Sequence, residues 1–295
     1  MADRIPWETA KLWPRLKAQS VHGLSTGDLQ PIETESTQIE SGGISFLVRI
    51  LANLSRKEKA LKQQGKTKPA NPFLPYEQNL YVSDITETHL CLLNKFKVVD
   101  HHFLIVTRAF ESQENWLTLA DFEALALCLN EVEGLAFFNG GREAGASQPH
   151  KHLQVVPYAD SLSAFPIERA IESIQNSQSP MLPFRHAVSR LPNASNSEAV
   201  GTVQLEPTQL FTHYHQLLSD SGINGPYQGT HTTPYNLLCT REWMMIVPRV
   251  QEKYASISVN SLGFAGSLLV KHQASLTELK AIGPIQLLQQ VSFPK

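Results

Sequence analysis

The chain has 295 residues, enough for one large domain or two small ones with a sizeable core. Its composition, with 42% hydrophobic and 18% charged residues, excludes wholesale disorder. A formal net charge of −2 excludes a broadly basic surface for nucleic acid or membrane, so an anionic ligand would need a local cluster of donors.

The first 40 residues form a polar lead-in. Within it, residues 7–19 are amphipathic and predict a helix, whereas residues 28–43 predict connecting chain. The first strand is predicted at 45–52. The basic run that follows at 55–72 has almost no large apolar residues, which predicts a mobile surface loop.

Short apolar runs bounded by turn residues predict the next strands. They cover residues 79–84, 89–96, 102–108, 135–141 and 152–157. Thr118 is a suitable N-cap for a helix at 118–133, where apolar residues recur at helical spacing. This order of elements predicts an α+β fold with helices packed on one face of the sheet.

The second half of the chain repeats this mixture. Helices are predicted at 166–176 and 207–220, and two apolar runs around a turn predict a hairpin over 235–249. A small-residue turn followed by a strand is predicted at 263–271. No internal repeat or break in composition divides the chain, so we expect a single domain over residues 1–295.

Three cysteines, Cys91, Cys128 and Cys239, lie far apart in apolar surroundings. They form no CxxC pair, so neither a cysteine zinc site nor a disulfide framework is expected, and a reducing compartment fits. The first residues contain no apolar signal-peptide core, and no stretch approaches 18 apolar residues. We therefore expect a cytoplasmic protein that does not enter a membrane.

The most informative stretch is GREAGASQPHKHLQVVP, residues 141–157. Side chains alternate between the faces of a strand, so His150, His152 and Gln154 are predicted to project from one side. Two neutral imidazoles on one strand face can share zinc or iron, given a third ligand. Candidates for that ligand are His89, His101 and His102. Alternatively, one imidazole can attack phosphorus and form a covalent intermediate.

The loop before the histidines favours attack on phosphorus. Gly140, Gly141 and Gly145 would let main-chain N–H groups converge on an anion, and Ser147 and Gln148 add side-chain donors. A metal site has no use for such donors. We therefore expect no metal held tightly by side chains, with magnesium arriving only on the phosphates of a substrate.

The stretch FFNGGREAGASQPHKHLQ resembles the signature of diadenosine tetraphosphate phosphorylases, also called ATP adenylyltransferases. They form a branch of the histidine-triad superfamily shared with galactose-1-phosphate uridylyltransferase. Asn139 stands thirteen residues before His152, and Gly145, Ser147 and HxHxQ follow in the order of the family. Residues 92–108 and the segments YNLLCTREWMMIVPR and GFAGSLLVK are also similar to these phosphorylases.

The resemblance implies a histidine-triad-like, mostly antiparallel sheet with flanking helices. It implies that His152 is the nucleophile, that His150 orients it through its main-chain carbonyl, and that His102 backs the motif. Further positions are implied to contact the nucleotide phosphates: Asn94, Asn139, Gly145, Ala146, Ser147, Gln148 and Gln154. Lys57 and Lys271 are candidates for the distal phosphates.

Gln154 replaces the third histidine of histidine-triad hydrolases. Glutamine cannot transfer a proton near neutral pH, so it can hold a phosphoryl oxygen while giving little help to water. The predicted reaction therefore has two steps. His152 attacks the α-phosphorus of diadenosine tetraphosphate and releases ATP, and inorganic phosphate then attacks the adenylyl-histidine to give ADP.

Three other functions stay open on the sequence. A sugar-nucleotide transferase or phosphorylase of the same superfamily would use His152 in the same way, whereas a non-catalytic nucleotide sensor would need no nucleophile. A metal-dependent dioxygenase or hydrolase would bind its metal through the histidine strand. We also expect a monomer, because phosphorylases of this branch are long enough to supply in one chain what small histidine-triad proteins build as a dimer.

Overall fold

The structure is a computed structural model that describes residues 4–51, 71–158, 164–175, 182–191 and 204–295. Its helices are α1 (Leu12–Thr26), α2 (Leu119–Glu131), α3 (Glu168–Gln175), α4 (Pro207–Asp220), α5 (Ser261–Phe264), α6 (Gln273–Ile282) and α7 (Pro284–Val291). Its strands are β1 (Thr34–Ser41), β2 (Ile44–Leu51), β3 (Tyr81–Asp84), β4 (His89–Leu93), β5 (Phe103–Thr107), β6 (Gly134–Gly140), β7 (His152–Pro157), β8 (Ala187–Arg190), β9 (Tyr235–Cys239), β10 (Trp243–Pro248), β11 (Lys253–Tyr254), β12 (Ile257–Ser258) and β13 (Ser267–Val270). The loop predicted at 55–72 falls outside the described residues except for its last two positions.

An eight-stranded sheet forms the centre of the fold. Its strand order is β3-β4-β5-β7-β6-β9-β10-β8, and every neighbouring pair is antiparallel. A three-stranded sheet, β1-β2-β13, and a short pair, β11-β12, lie outside it. The α+β fold class with a mostly antiparallel sheet is confirmed, and none of the described helices combines the length and apolar character needed to cross a bilayer.

Helices cover both faces of the main sheet, so the prediction of helices on one face was wrong. Helices α1, α2 and α4 contribute to the core on one face, whereas α3, α5, α6, α7 and the small sheet contribute to the other. The reason is visible in β6, where Phe137 and Phe138 point to opposite faces and are both buried. A strand that is apolar on both faces needs cover on both.

The N-terminal region is more regular than its polar sequence suggests. Residues 28–43 were predicted to be connecting chain, but β1 lies within them and pairs with β2 along its whole length. Gly42 and Gly43 form the turn with φ values of +58° and +77°, a left-handed conformation that glycine adopts without steric cost. The strand was missed because β1 lies at the sheet edge and has almost no apolar residues.

Helix α2 begins directly after Thr118, the residue predicted to be its N-cap. The side chain of Asp121 accepts hydrogen bonds from the main-chain N of Thr118 at 2.6 Å and from its Oγ1 at 2.8 Å. The buried face of α2 then packs on the sheet beside α4, whose observed bounds equal the predicted 207–220. These two helices lie behind the strand that carries the histidine motif.

Candidate active site

The predicted site residues lie on the face of the sheet opposite α2 and α4. In the strand register, His152 is opposite Val106 and Gln154 is opposite Leu104 on one side and Phe137 on the other. The site therefore lies between two apolar clusters of the same sheet face. The residues of β7 that alternate with these point to the opposite face and contribute to the core beneath α2 and α4, as the strand periodicity predicted.

His152 is held in a single orientation and protonation state. Its Nδ1 lies 2.8 Å from the carbonyl oxygen of His150 and donates to it, as the resemblance implied. The other ring nitrogen, Nε2, therefore carries the lone pair, and no side chain in the described ranges hydrogen-bonds to it. Burial lowers the pKa of His152 to about 4, so the ring is neutral at physiological pH.

The ring of His150 is fully engaged by its neighbours. Its Nε2 donates to the carbonyl of Thr107 at 2.8 Å, and its Nδ1 accepts from the side-chain amide of Asn71 at 2.9 Å. Phe73 and Phe110 contact the ring from the sides. With both nitrogens occupied and no exposed surface, His150 acts on the site through its carbonyl alone.

His102 stands beside Gln154 and makes no hydrogen bond to His152. Its Nδ1 accepts from the amide of Asn94 at 3.1 Å, which uses one of the two N–H donors of that carboxamide and leaves the other for a phosphate oxygen. Burial lowers the pKa of His102 to about 4, and the nearby Gln154 amide opposes that shift without forming a hydrogen bond of normal geometry. The buried Nε2 of His102 is thus left without a partner among the described residues.

Asn139 is fixed by residues from the second half of the chain. Its Oδ1 accepts from Asn236 Nδ2 at 2.9 Å, from the main-chain N of Ser261 at 3.0 Å and from Ser261 Oγ at 2.7 Å. Because all three groups donate, the atom that they contact must be the carboxamide oxygen, and the other end is the NH₂ group. The NH₂ group makes no hydrogen bond to the described part of the chain, so it is free to donate to a ligand oxygen.

A buried arginine continues this network behind the site. Arg249 Nη1 donates to Asn236 Oδ1 at 2.6 Å and to the carbonyl of Ala144 at 3.3 Å. Its other donors reach the main-chain carbonyls of Gln251, Glu252, Val259 and Val291. Burial lowers the pKa of Arg249 to about 9, which leaves the guanidinium charged at neutral pH. No carboxylate of the described residues forms an ion pair with this guanidinium behind the glycine loop, and the charge of Glu252 favours its charged form from a distance.

Gly145 is required by the shape of the loop. Its φ is +91°, and a Cβ at this position would lie 2.8 Å from the Cβ of Asn260 and 2.9 Å from the carbonyl oxygen of Val259. Both the left-handed conformation and the close approach exclude a side chain. The glycine that the family signature has at this position is thus also the residue that the local geometry requires.

Of the glycines predicted to present N–H groups to an anion, Gly141 makes no main-chain N–H hydrogen bond to a described residue, whereas Gly145 does. The N–H groups of Ala144, Gly145 and Ala146 donate to carbonyls within the loop, at 2.9–3.2 Å. They are therefore not free to hold an anion. Further available donors come next in the chain, at Ser147 and Gln148, whose N–H groups and side chains make no hydrogen bond to a described residue.

Of the two predicted lysines, only Lys271 lies within the described residues. Lys271 is exposed just after β13, and its side chain makes no hydrogen bond or ion pair to a described residue. Lys57 lies outside the described ranges. In the part of the chain that the structure describes, no three His, Cys, Asp or Glu side chains come together in a way that could hold a metal ion.

Sequence reasoning missed several residues that build the site. They are Asn71, Thr107, Gln113, Asn236 and Arg249. Asn236 and Arg249 do leave a weak signal, because each is a polar residue inside or directly after an apolar strand. Gln113 stands in an ordinary polar loop and leaves none.

Two family profiles match the chain. "Ap4A phosphorylase N-terminal domain" matches residues 2–173, and "ATP adenylyltransferase C-terminal domain" matches residues 180–294. The chain belongs to the Ap4A phosphorylase family. It is an enzyme of the ATP adenylyltransferase class, so the alternatives of a sugar-nucleotide transferase, a non-catalytic sensor and a metal-dependent dioxygenase are set aside.

Individual relatives agree with the profiles. Diadenosine 5',5'''-P1,P4-tetraphosphate phosphorylase 2 of Saccharomyces cerevisiae is 28% identical over 284 residues, which cover 86% of this chain and 85% of the relative. The crystal structure of yeast Ap4A phosphorylase Apa2 in complex with AMP superposes with a TM-score of 0.78 at 25% identity, covering 99% of both chains. The crystal structure of Apa2 in complex with Ap4A has the same fold, with a TM-score of 0.77 at 23% identity over 100% of this chain and 99% of that one.

The two profile segments do not form separate halves of the site. Strands β3 to β7 come from the first segment and β8 to β10 from the second, yet all eight form one sheet. Asn139 of the first segment is bonded by Asn236 and Ser261 of the second. In this phosphorylase the candidate active site is therefore built from residues of both segments.

Proposed function

We propose that this enzyme splits diadenosine tetraphosphate with inorganic phosphate, giving ATP and ADP, and that His152 carries the adenylyl group between the two steps. The supporting observation is the bond from His152 Nδ1 to the carbonyl of His150, which leaves a neutral Nε2 with a free lone pair. A nucleophile at phosphorus needs that protonation state. Diadenosine tetraphosphate, for which the yeast members of the family are named, has the reactive centre that such a group attacks.

In the first step the Nε2 lone pair of His152 forms a bond to the α-phosphorus. The bond from that phosphorus to the bridging oxygen breaks, and ATP leaves with the electron pair. In the second step an oxygen of inorganic phosphate attacks the same phosphorus, the bond to Nε2 breaks, and ADP is released. The ring returns to its neutral form, ready for another cycle.

Fixed donors would stabilise the charge that develops on the phosphoryl oxygens. We assign this role to the free NH₂ of Asn139, to the amide of Gln154, and to Ser147 and Gln148. The charge of Arg249 acts from behind the loop through Asn236. Preorganised donors of this kind are worth about 10²–10³-fold each in rate.

The leaving ATP needs little help from a protein acid, because its polyphosphate is weakly basic once its charge is neutralised. We propose that magnesium arrives with the nucleotide rather than in a protein metal site, and that Lys271 and Lys57 reach the distal phosphates. We also propose that the enzyme acts as a monomer in the cytoplasm. These assignments predict that chelation of magnesium slows turnover without removing a structural ion.

Product analysis tests the proposed function directly. With diadenosine tetraphosphate we expect equal amounts of ATP and ADP when phosphate is present. Without phosphate we expect at most one equivalent of ATP, together with an acid-labile adenylyl adduct. His152→Asn should abolish both the turnover and the adduct. Steady turnover by that variant, or AMP as the main product of the parent enzyme, would show that the assigned reaction is wrong.

A further inference from the structure

Gln113 lies between the two strands that carry Asn139 and His152. It is only 2% exposed, and its carboxamide contacts the main chain on both sides. Its Oε1 accepts from the main-chain N of His152 at 2.8 Å. Its Nε2 donates to the carbonyl of Asn139 at 3.0 Å and to the carbonyl of His152 at 3.2 Å.

The inserted carboxamide replaces hydrogen bonds of the β-ladder. Strands β6 and β7 pair from Gly134↔Pro157 to Phe137↔Gln154, and there the ladder stops. Two further residues in the same antiparallel register would place Asn139 opposite His152, where the strands would bond directly. The amide of Gln113 stands between them instead. The strands are thus held apart at the level where the two site residues stand.

Gln113 is itself firmly held. Its main-chain N donates to the carbonyl of Pro149 at 2.8 Å, directly before the histidine motif. On either side, Lys151 N donates to Glu111 O at 2.8 Å and His231 N donates to Glu114 O at 2.8 Å. The loop that carries Gln113 therefore runs alongside the motif and has little freedom to move away from it.

We propose that Gln113 is a positioning residue for the adenylyl transfer. With its main-chain N and O bonded to Gln113 and its Nδ1 bonded to the carbonyl of His150, the ring of His152 is fixed at both ends. The same carboxamide fixes the main chain of Asn139, so it sets the distance between the nucleophile and a phosphate donor. This inference rests on the proposed role of His152.

Position matters because the attacking nitrogen must lie in line with the leaving oxygen. A misplacement of about 1 Å can reduce the rate of such a step by ~10²-fold. Ground-state binding depends on more contacts and tolerates such a shift better. Loss of Gln113 should therefore lower the rate of adenylylation far more than the affinity for nucleotide.

The first test uses Gln113→Met, which keeps the length of the side chain and removes its hydrogen bonds. In single-turnover experiments with diadenosine tetraphosphate, we expect the rate constant for formation of the His152 adduct to fall by ~10²-fold. The dissociation constant for AMP should change by less than about threefold, because the binding donors remain.

Asn130→Leu is the matched control. Asn130 on α2 also bonds the main chain through both ends of a carboxamide, with Leu205 N at 2.7 Å and Leu205 O at 3.2 Å, and none of its bonds reaches the site. We expect this variant to lose similar thermal stability and to keep its adenylylation rate. If Gln113→Met keeps its rate within threefold, or weakens AMP binding as much as it slows the reaction, the positioning role is refuted.

Gln113→Glu provides a second readout that loss of folding cannot imitate. A buried carboxylate facing two carbonyls should have a raised pKa, and only its protonated form can donate. As the pH falls from 8 toward this raised pKa, the rate of the variant relative to the parent should therefore rise by about tenfold for each pH unit. A constant ratio over that range would overturn the proposal. Activity in His152→Asn would instead disprove the underlying function, so the two failures are distinguishable.

Discussion

The Nδ1 of His152 donates to the main-chain carbonyl of His150 at 2.8 Å. A carbonyl is a neutral acceptor, so it fixes the tautomer without adding the negative charge that would raise the pKa of the ring. Burial therefore dominates, and the pKa falls to about 4. The candidate nucleophile is therefore neutral at physiological pH, and both nitrogens of the neighbouring His150 ring are occupied by hydrogen bonds to Asn71 and Thr107.

The first prediction concerns the pH dependence of adenylylation. A histidine with its usual pKa near 6.5 would lose nucleophilicity as the pH falls through that value. For His152 the loss should begin only near the lowered pKa, as the ring gains a proton, so the rate constant should stay constant from pH 8 to pH 5. The measurement is the single-turnover rate at subsaturating diadenosine tetraphosphate, whose internal phosphates do not titrate in this range. A half-maximal rate near pH 6.5 would contradict the assignment.

The second prediction concerns protection of the intermediate from water. Gln154→His places an imidazole with a pKa of ~6.5 next to the expected path of the acceptor, where it can act as a general base. Such a base is worth ~10²–10⁴-fold, so the adenylyl-histidine of the variant should hydrolyse to AMP when phosphate is absent. The measurement is the decay of the isolated adduct. Gln154→Leu, which removes the amide without adding a base, should not accelerate this hydrolysis.

The third prediction concerns the support behind Asn139. Asn236→Asp lets a carboxylate pair with Arg249, but it removes the donor to Asn139 Oδ1 and to the carbonyl of Ala144. It also neutralises the charge behind the glycine loop. We expect AMP to bind at least ~10-fold more weakly, a loss of about 1.4 kcal/mol. The melting temperature should change little because a buried ion pair replaces the lost bonds. Unchanged AMP affinity in calorimetry would show that this network does not support the anion site.

The fourth prediction concerns a buried ion network on the other side of the motif strand. Lys151 Nζ lies 2.7 Å from Asp121 Oδ2, and His89 Nε2 lies 3.1 Å from Asp121 Oδ1. Burial alone would raise the pKa of Asp121, but the bond from His89 and the charge of Lys151 outweigh it and hold the pKa at about 2. Asp121→Asn should lower the free energy of unfolding by about 3–5 kcal/mol at pH 7, because it leaves the Lys151 charge poorly compensated.

The sign of its pH dependence follows from the depressed pKa. The carboxylate stabilises the fold above its unfolded pKa near 3.8, and this contribution is lost as the pH falls toward about 2. The difference between parent and variant should therefore shrink as the pH is lowered from 5. Urea unfolding at successive pH values measures this difference. A gap that stays constant down to pH 3 would show that Asp121 is not the titrating group.

Local patterns in the sequence determined much of this protein. The alternation in HxHxQ placed His152 and Gln154 on one face of β7, because side chains in a strand must alternate. The apolar spacing of α4 gave its bounds, and the glycine at 145 fits the left-handed backbone conformation of its loop, where φ is +91°. Each of these features depends on residues within a few positions of one another, so the chain itself carries the information.

Tertiary structure alone decided which groups are free to react. The ring of His150 looked available in sequence, but Asn71 and Thr107 occupy both its nitrogens. The main-chain N–H of Gly145 looked available too, but it donates to the carbonyl of Arg142 within its own loop. A hydrogen bond consumes a donor whatever its sequence distance, so no local pattern reveals which donors remain.

The same limit explains the residues that sequence reasoning missed. Gln113 reaches His152 from 39 positions away, and Arg249 reaches the carbonyl of Ala144 across 105. Helices on both faces of the sheet likewise depend on which distant segments return to cover it. The local sequence thus specified the candidate nucleophile and its strand. The residues that hold it in place were brought together only by folding. Hydrogen-bond partners that are remote in sequence produce no periodic pattern from which they could be predicted.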